Sequence, residues 1–240
     1  PWLRKLRDHG VVIDRLGITG GECFLNKGLA DLVAGCKEAS GCKEVDVFSN
    51  VFWLRDEASI EKYRPVLEQV EVLVATKYKP IVEKVGGLDE LLRLLDLVRE
   101  RCGCRIQSFQ EGVVTEFGQS FFYDEPRPRQ VYQCEIRDCT QLRSDGTLFR
   151  CPQGYAIGSN PAVTEGFAKS VDIRYDLTTD LEMGRDLAAW YAKWPLDACE
   201  FCGVGCMRDV WTPWVSDPAI RNMDKEAYVG RLVQLVVTGK

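Results

Sequence analysis

Eleven cysteines against one histidine set the chemistry this 240-residue chain can carry. A single imidazole, His9, leaves little room for His-rich metal sites or for Ser-His and Cys-His nucleophile systems. Six of the eleven cysteines fall between Cys134 and Cys206. Eleven residues separate Cys134 from Gly146, four separate Gly146 from Cys151, and Cys199 and Cys202 form a later Cys-x2-Cys pair. Two cysteines around a hairpin plus such a pair supply four thiolates to one centre, and all-thiolate sites mean zinc or iron-sulfur. Spacing does not separate the two metals. A redox Cys-x2-Cys of thioredoxin type belongs at the start of a helix after a strand, whereas Cys199 follows a helix and Pro195. Cys36, Cys42 and the Cys102-Gly103-Cys104 link take the plainer reading of small structural hydrophobes.

A second pattern stands at the other end of the chain. Ile18-Thr19-Gly20-Gly21-Glu22-Cys23 directly follows an expected strand. Two glycines let a backbone turn tightly and approach a ligand, and the adjacent carboxylate suits a cationic group such as an amine. The glycine pair lacks the spacing of the dinucleotide and P-loop fingerprints.

The elements that must position these residues alternate. A strand ends over Leu16 to Thr19, a helix runs from about Gly28 to Ala39 with Asn26 placed to cap it, and Glu44 to Phe48 is the next strand. A helix near Ser59 to Gln69, a strand over Glu71 to Ala75, a helix over Leu88 to Arg101 and a strand over Cys104 to Phe109 follow. Leu91, Leu92, Leu95 and Val98 mark the buried face of that last helix. Repeated βα units of this kind build a doubly wound sheet or a barrel of parallel strands, with ligands beyond the strand C-termini. Tyr78 and Gln107, at strand ends, are candidates to face such a centre.

The pattern changes after Tyr123. The stretch Asp124-Glu125-Pro126-Arg127-Pro128-Arg129 reads as a linker, which divides the chain into domains of 1–130 and 131–240. Beyond it, Thr140 to Arg143 and Thr147 to Arg150 flank an Asp145-Gly146 turn as a β-hairpin. A helix is expected from about Thr179 to Lys193, and a last amphipathic helix from about Asp224 to Val237. Trp190, Trp194, Trp211 and Trp214 flank the Cys-x2-Cys pair and would shield a site there. A net charge of -5 argues against a nucleic-acid partner, and no apolar run is long enough to suggest a membrane span. An odd cysteine count without a secretion signal points to a reducing compartment, the cytoplasm. The chain opens at Pro1 without an initiator Met, and its N-terminus is read as cut.

Ile18-Thr19-Gly20-Gly21-Glu22 resembles the Gly-Gly-Glu motif of radical S-adenosylmethionine (SAM) enzymes, and Ser49-Asn50 resembles their Ser-x-Asn-Gly region without its Gly. The spacing of Cys134, Gly146, Cys151, Cys199 and Cys202 is similar to the auxiliary-cluster domain called SPASM, or to its shorter twitch form. Asp145-Gly146-Thr147-Leu148-Phe149-Arg150-Cys151-Pro152 is the most specific part. Cys23 stands where the family has Pro, and only Cys206 follows the Cys-x2-Cys pair, which suits the single-cluster form. The Cys-x3-Cys-x2-Cys loop of the SAM-cleaving cluster is missing; Trp2 to His9 looks like the end of the unit that would carry it.

The resemblance implies a partial parallel (β/α) barrel followed by a small α+β Cys-rich domain. Gly20, Gly21 and Glu22, with Ser49 and Asn50, would bind SAM; Cys134 or Cys139, with Cys151, Cys199 and Cys202, would ligate an auxiliary [4Fe-4S] cluster. A second [4Fe-4S] cluster would sit in the missing segment, an external donor would supply electrons, and a 5′-deoxyadenosyl radical would abstract hydrogen from a peptide or small-molecule substrate. The fragment alone would not cleave SAM, and no residue is assigned the hydrogen-transfer step. The rival reading is a non-catalytic protein closed by a structural four-thiolate zinc site.

Overall fold

The computed structural model describes residues 1–20, 22–108, 139–152, 173–179, 183–193, 196, 197 and 199. The chain divides into two units, Pro1–Glu116 and Phe117–Lys240. The boundary expected near residue 130 lies outside the described residues, as does the helix expected over 224–237.

In the first unit the elements run α1 (Trp2–Asp8), β1 (Arg15–Ile18), α2 (Leu29–Ser40), β2 (Glu44–Ser49), α3 (Glu57–Leu67), β3 (Val72–Ala75), α4 (Lys79–Val85), α5 (Leu88–Cys102) and β4 (Arg105–Ser108). The four strands form one parallel sheet in the order β1-β2-β3-β4. Ile18 pairs with Val47, Ser49 with Ala75, and Ala75 with Ser108. The βα alternation of the sequence is therefore an α/β unit with a parallel sheet, as expected. Among the described residues β1 and β4 remain edges, so no closed barrel forms there.

Period-two alternation assigns the two faces of the sheet. Val45 and Val47 of β2 and Leu73 and Ala75 of β3 join Leu29, Val33, Ile60, Leu67, Leu91, Leu94, Leu95 and Val98 in one helix-covered core. Each fully buried Leu or Val contributes about 1.5–3 kcal/mol of transfer free energy. The inward stripe of α5 differs by one residue from the expected one: Leu94 is fully buried, and Leu92 only packs against the core. Both lie within the apolar arc, and period 3.6 alone does not rank them.

The other face carries Arg15, Glu44, Asp46, Phe48, Val72, Val74, Arg105 and Gln107 by the same alternation and register. Gly17 lies opposite Asp46, and a Cβ there would come within 2.9 Å of the Phe48 ring. Glycine at this position is what lets Phe48 lie across β1.

Helix α4 escapes a sequence reading because it is only seven residues long. Pro80 in its first turn and the Gly86-Gly87 stop are its clearest signals. Asn26 does not cap α2: its Oδ1 accepts the Gly28 amide at 2.9 Å in a turn before the helix, whose N-cap is Gly28. His9 follows α1 with Nδ1 2.9 Å from the Lys5 carbonyl, at the end of the helix.

In the second unit β5 (Gln141–Leu142), β6 (Thr147–Phe149) and β7 (Arg174–Asp176) form an antiparallel sheet in that order, and α6 spans Met183–Ala192. The expected hairpin is β5-β6. Its turn is set by Asp145, whose Oδ1 accepts the Thr147 amide at 2.9 Å, and by Gly146 at φ +92°. Arg150 is buried between aromatic rings, its guanidinium 4.3 Å from the Tyr191 ring centroid and 6.0 Å from that of Trp190. Among the described residues no helix is long and apolar enough to cross a membrane.

Candidate functional site

The C-terminal edge of the parallel sheet gathers two segments that lie far apart in sequence. After β1 the chain turns through Thr19 and Gly20 to Glu22, which is extended (φ -154°, ψ 112°) and caps the 3₁₀ turn Cys23–Leu25. One carboxylate oxygen of Glu22 accepts the Phe24 amide at 3.0 Å and the Ser49 hydroxyl at 2.9 Å. The other accepts the Asn50 amide at 2.9 Å, with the same hydroxyl at 3.1 Å. Three protons thus serve a carboxylate with about four lone-pair sites, which leaves capacity for one more donor.

Ser49 is the hub of this contact. Its buried hydroxyl donates to Glu22 and accepts from the Val51 amide at 2.9 Å and from Trp53 Nε1 at 3.1 Å. The Trp53 ring stacks on Phe24, 4.5 Å between centroids at 24°, and Tyr63 meets both rings edge-on. An apolar floor therefore lies beneath a polar clip that joins the loop after β1 to the loop after β2. Asn50 turns the chain by accepting the Phe52 amide at 3.0 Å on its Oδ1.

Val51 stands where the resemblance would place glycine. It has φ +53°, the left-handed region that a β-branched side chain enters at a cost of roughly 1–3 kcal/mol, and it is fully buried. Burial of its two methyls offsets that strain. Truncating Val51 removes the packing in both Ala and Gly variants but relieves the strain only in Gly. Val51→Gly should therefore unfold at higher urea than Val51→Ala, by about 1 kcal/mol, the reverse of the usual order. Equal midpoints would mean that the backbone is unstrained.

Gly20 and Cys23 complete the turn. A Cβ at Gly20 would meet nothing within 4 Å, so the space beside it is open. Gly21 lies outside the described residues. Cys23 is buried, contacts the Ile18 carbonyl at 3.5 Å, and burial together with the neighbouring Glu22 charge raises its pKa to about 11. Without a bound cation it is a neutral thiol at physiological pH.

Past β3, Lys77 is fully buried and its Nζ donates to the Ser108 hydroxyl at the end of β4. A lysine two residues past the apolar run Val72 to Ala75 is the trace of this in the sequence. Tyr78 is half-buried at the start of α4, and burial raises its pKa. Gln107 lies on the open face one residue from the C-terminal row, beside Arg15.

The cysteines divide between the units. Cys42 and Cys104 belong to the core of the first unit and Cys102 packs against it. Burial raises the Cys36 and Cys102 thiols and takes Cys104 to about 11. In the second unit β5 and β6 pair Gln141 with Phe149 and Leu142 with Leu148. Cys139 and Cys151 each stand two residues beyond the paired positions Gln141 and Phe149, on either side of the hairpin. The Tyr191 hydroxyl donates to Thr140 Oγ1, which ties α6 to this end of the hairpin. Cys199 follows, its amide donating to the Leu196 carbonyl at 3.0 Å. Cys134, Cys202, Cys206, Trp194, Trp211 and Trp214 lie outside the described residues. Among the described residues no three His, Cys, Asp or Glu side chains gather as a metal site.

No model of a known protein family matches the chain, and no curated protein matches it.

Proposed function

We propose that the chain is part of a radical SAM enzyme, with a SAM-binding parallel α/β unit and a twitch-like unit for an auxiliary [4Fe-4S] cluster. The observation that carries this reading is the hydrogen-bonded union of Glu22 with Ser49 and Asn50 at the C-terminal edge of a parallel sheet. Two motifs related only by resemblance are neighbours in space, at the edge where such sheets bind ligands. Their carboxylate keeps capacity for the SAM ammonium, and the backbone beside Gly20 faces open space.

The donor set of the second unit suits a thiolate-bound cluster. Cys139 and Cys151 flank the hairpin, each two residues beyond the Gln141–Phe149 pair, which favours Cys139 over Cys134 as the partner of Cys151. Cys199 and Cys202 would complete the set. When bound, a cluster held by these thiolates would supply single-electron transfer. The residues here bind, orient and exclude water: Glu22 holds the ammonium, Ser49 and Asn50 fix the carboxylate, and Phe24 and Trp53 form the dry floor. The 240 residues contain no Cys-x3-Cys-x2-Cys loop, so the proposal covers SAM binding and the auxiliary centre rather than SAM cleavage. Substrate is a peptide or small molecule, electrons come from an external donor, and the compartment is the reducing cytoplasm.

Anaerobic reconstitution with iron and sulfide tests the reading. Broad visible absorbance with about four irons per chain is expected, lost in a Cys151→Ser/Cys202→Ser variant. A colourless protein retaining one tight zinc would instead establish the structural four-thiolate site.

A further inference from the structure

The face of the parallel sheet turned away from the helices carries a polar group that the SAM-binding edge does not use. Arg15 Nε donates to Oδ2 of Asp46, and Arg15 Nη2 donates to Gln107 Oε1 at 3.3 Å. Arg15 is on β1 and Gln107 on β4, three strand intervals or about 14 Å apart across a flat sheet. The two side chains therefore meet over the central strands. Asp46 lies beneath them on β2 with 2% of its surface exposed, and its buried Oδ1 has no hydrogen-bond donor among the described residues.

A guanidinium only donates, so the carboxamide oxygen of Gln107 must face Arg15 and its NH₂ must turn away. One arginine thus holds two groups of opposite sense: an acceptor at Asp46 Oδ1 and a donor at Gln107 Nε2. Buried carboxylate oxygens are rarely left without donors, because the lost hydration is not recovered. The Arg15–Asp46 pair is neutral overall, so a cation gains no net charge attraction here and an anion meets the uncovered carboxylate oxygen. An amide presents both an N–H and a C=O, and the half-buried Phe48 lies on the same face. We infer that this face is an amide-binding site, where Asp46 Oδ1 accepts the N–H of a ligand amide and Gln107 Nε2 donates to its carbonyl. Oδ1 itself is closed to solvent beneath Arg15 and Gln107, which are exposed, so a ligand reaches it by displacing their side chains. Naming that ligand as the substrate, and so as a peptide or carboxamide, rests on the radical SAM reading; amide binding itself does not.

Benzamide and benzoate, nearly equal in shape, serve as probes of the full chain, with the Gln107 side-chain NH₂ resonance followed by ¹⁵N NMR. Benzamide is expected to shift that resonance saturably and to bind roughly tenfold or more tightly than benzoate. Asp46→Asn keeps the shape but turns its oxygen to Arg15 and sets an NH₂ where Oδ1 was, so the preference should reverse to benzoate. Gln107→Leu, at an exposed position that leaves the core intact, should weaken benzamide by roughly tenfold. No saturable shift with benzamide, or an unchanged preference in Asp46→Asn with native dispersion elsewhere in the spectrum, overturns the site. SAM titration of the same sample separates the two ideas: benzamide binding without SAM binding defeats the enzyme reading alone, and the reverse defeats only the amide site.

Discussion

Ser49→Ala is expected to cost about 3 kcal/mol of stability and to do so without removing any apolar surface. The hydroxyl is donor to Glu22 and acceptor for the Val51 amide and Trp53 Nε1, all in a buried or half-buried setting. Alanine leaves the last two donors without their acceptor and strips Glu22 of one of its three. Each buried group so orphaned costs roughly 1–3 kcal/mol, and water entering the gap recovers part of the sum. The loss should appear as a lower urea midpoint with an unchanged m-value, because the same surface is exposed on unfolding. Trp53 fluorescence reports the same event locally, since the indole loses its partner while its stacking on Phe24 stays. A loss below about 1 kcal/mol would show that water replaces the hydroxyl and that the clip is not what holds the two loops together.

The same network shows where sequence was informative. The parallel α/β unit was legible because its helices and strands repeat distinct periods, and Gly103 and the Gly86-Gly87 pair punctuate them. The hairpin was legible from Asp145-Gly146 alone, since φ +92° is a glycine conformation. The contact of Glu22 with Ser49 joins residues 27 apart, and no periodicity contains that distance. Only the resemblance put both segments at one site. Asp46, Arg15 and Lys77 carried no motif at all: a charge inside an apolar strand signals a buried polar group, but its partners come from β1 and β4 through sheet order. Cys139 against Cys151 is the intermediate case. Spacing left Cys134 and Cys139 open, and the structure adds that Cys139 and Cys151 stand equally far beyond the paired residues Gln141 and Phe149.

Glu22 offers the sharpest separation of a structural strut from a ligand-binding carboxylate. Its three protein donors are fixed, so a SAM ammonium would take the one remaining lone-pair site in a half-buried, charge-assisted hydrogen bond. Such bonds contribute roughly 1.5–3 kcal/mol, which is about 10- to 100-fold in affinity. Glu22→Gln removes the charge and replaces one acceptor oxygen with an NH₂. That NH₂ must face either the Asn50 amide or the ligand ammonium, a clash between donors on either side. SAM affinity should then fall by about 100-fold, while stability falls by only about 1–2 kcal/mol because one oxygen still receives Phe24 and Ser49. Ser49→Ala should show the opposite balance: a larger loss of stability with a smaller loss of SAM affinity, since the carboxylate keeps its charge and two of its tethers. Titration calorimetry with SAM, beside urea unfolding of both variants, gives the two ratios. If Glu22→Gln binds SAM as the parent does, or if both variants lose affinity only in proportion to stability, Glu22 is a strut between two loops and the SAM assignment at this edge fails.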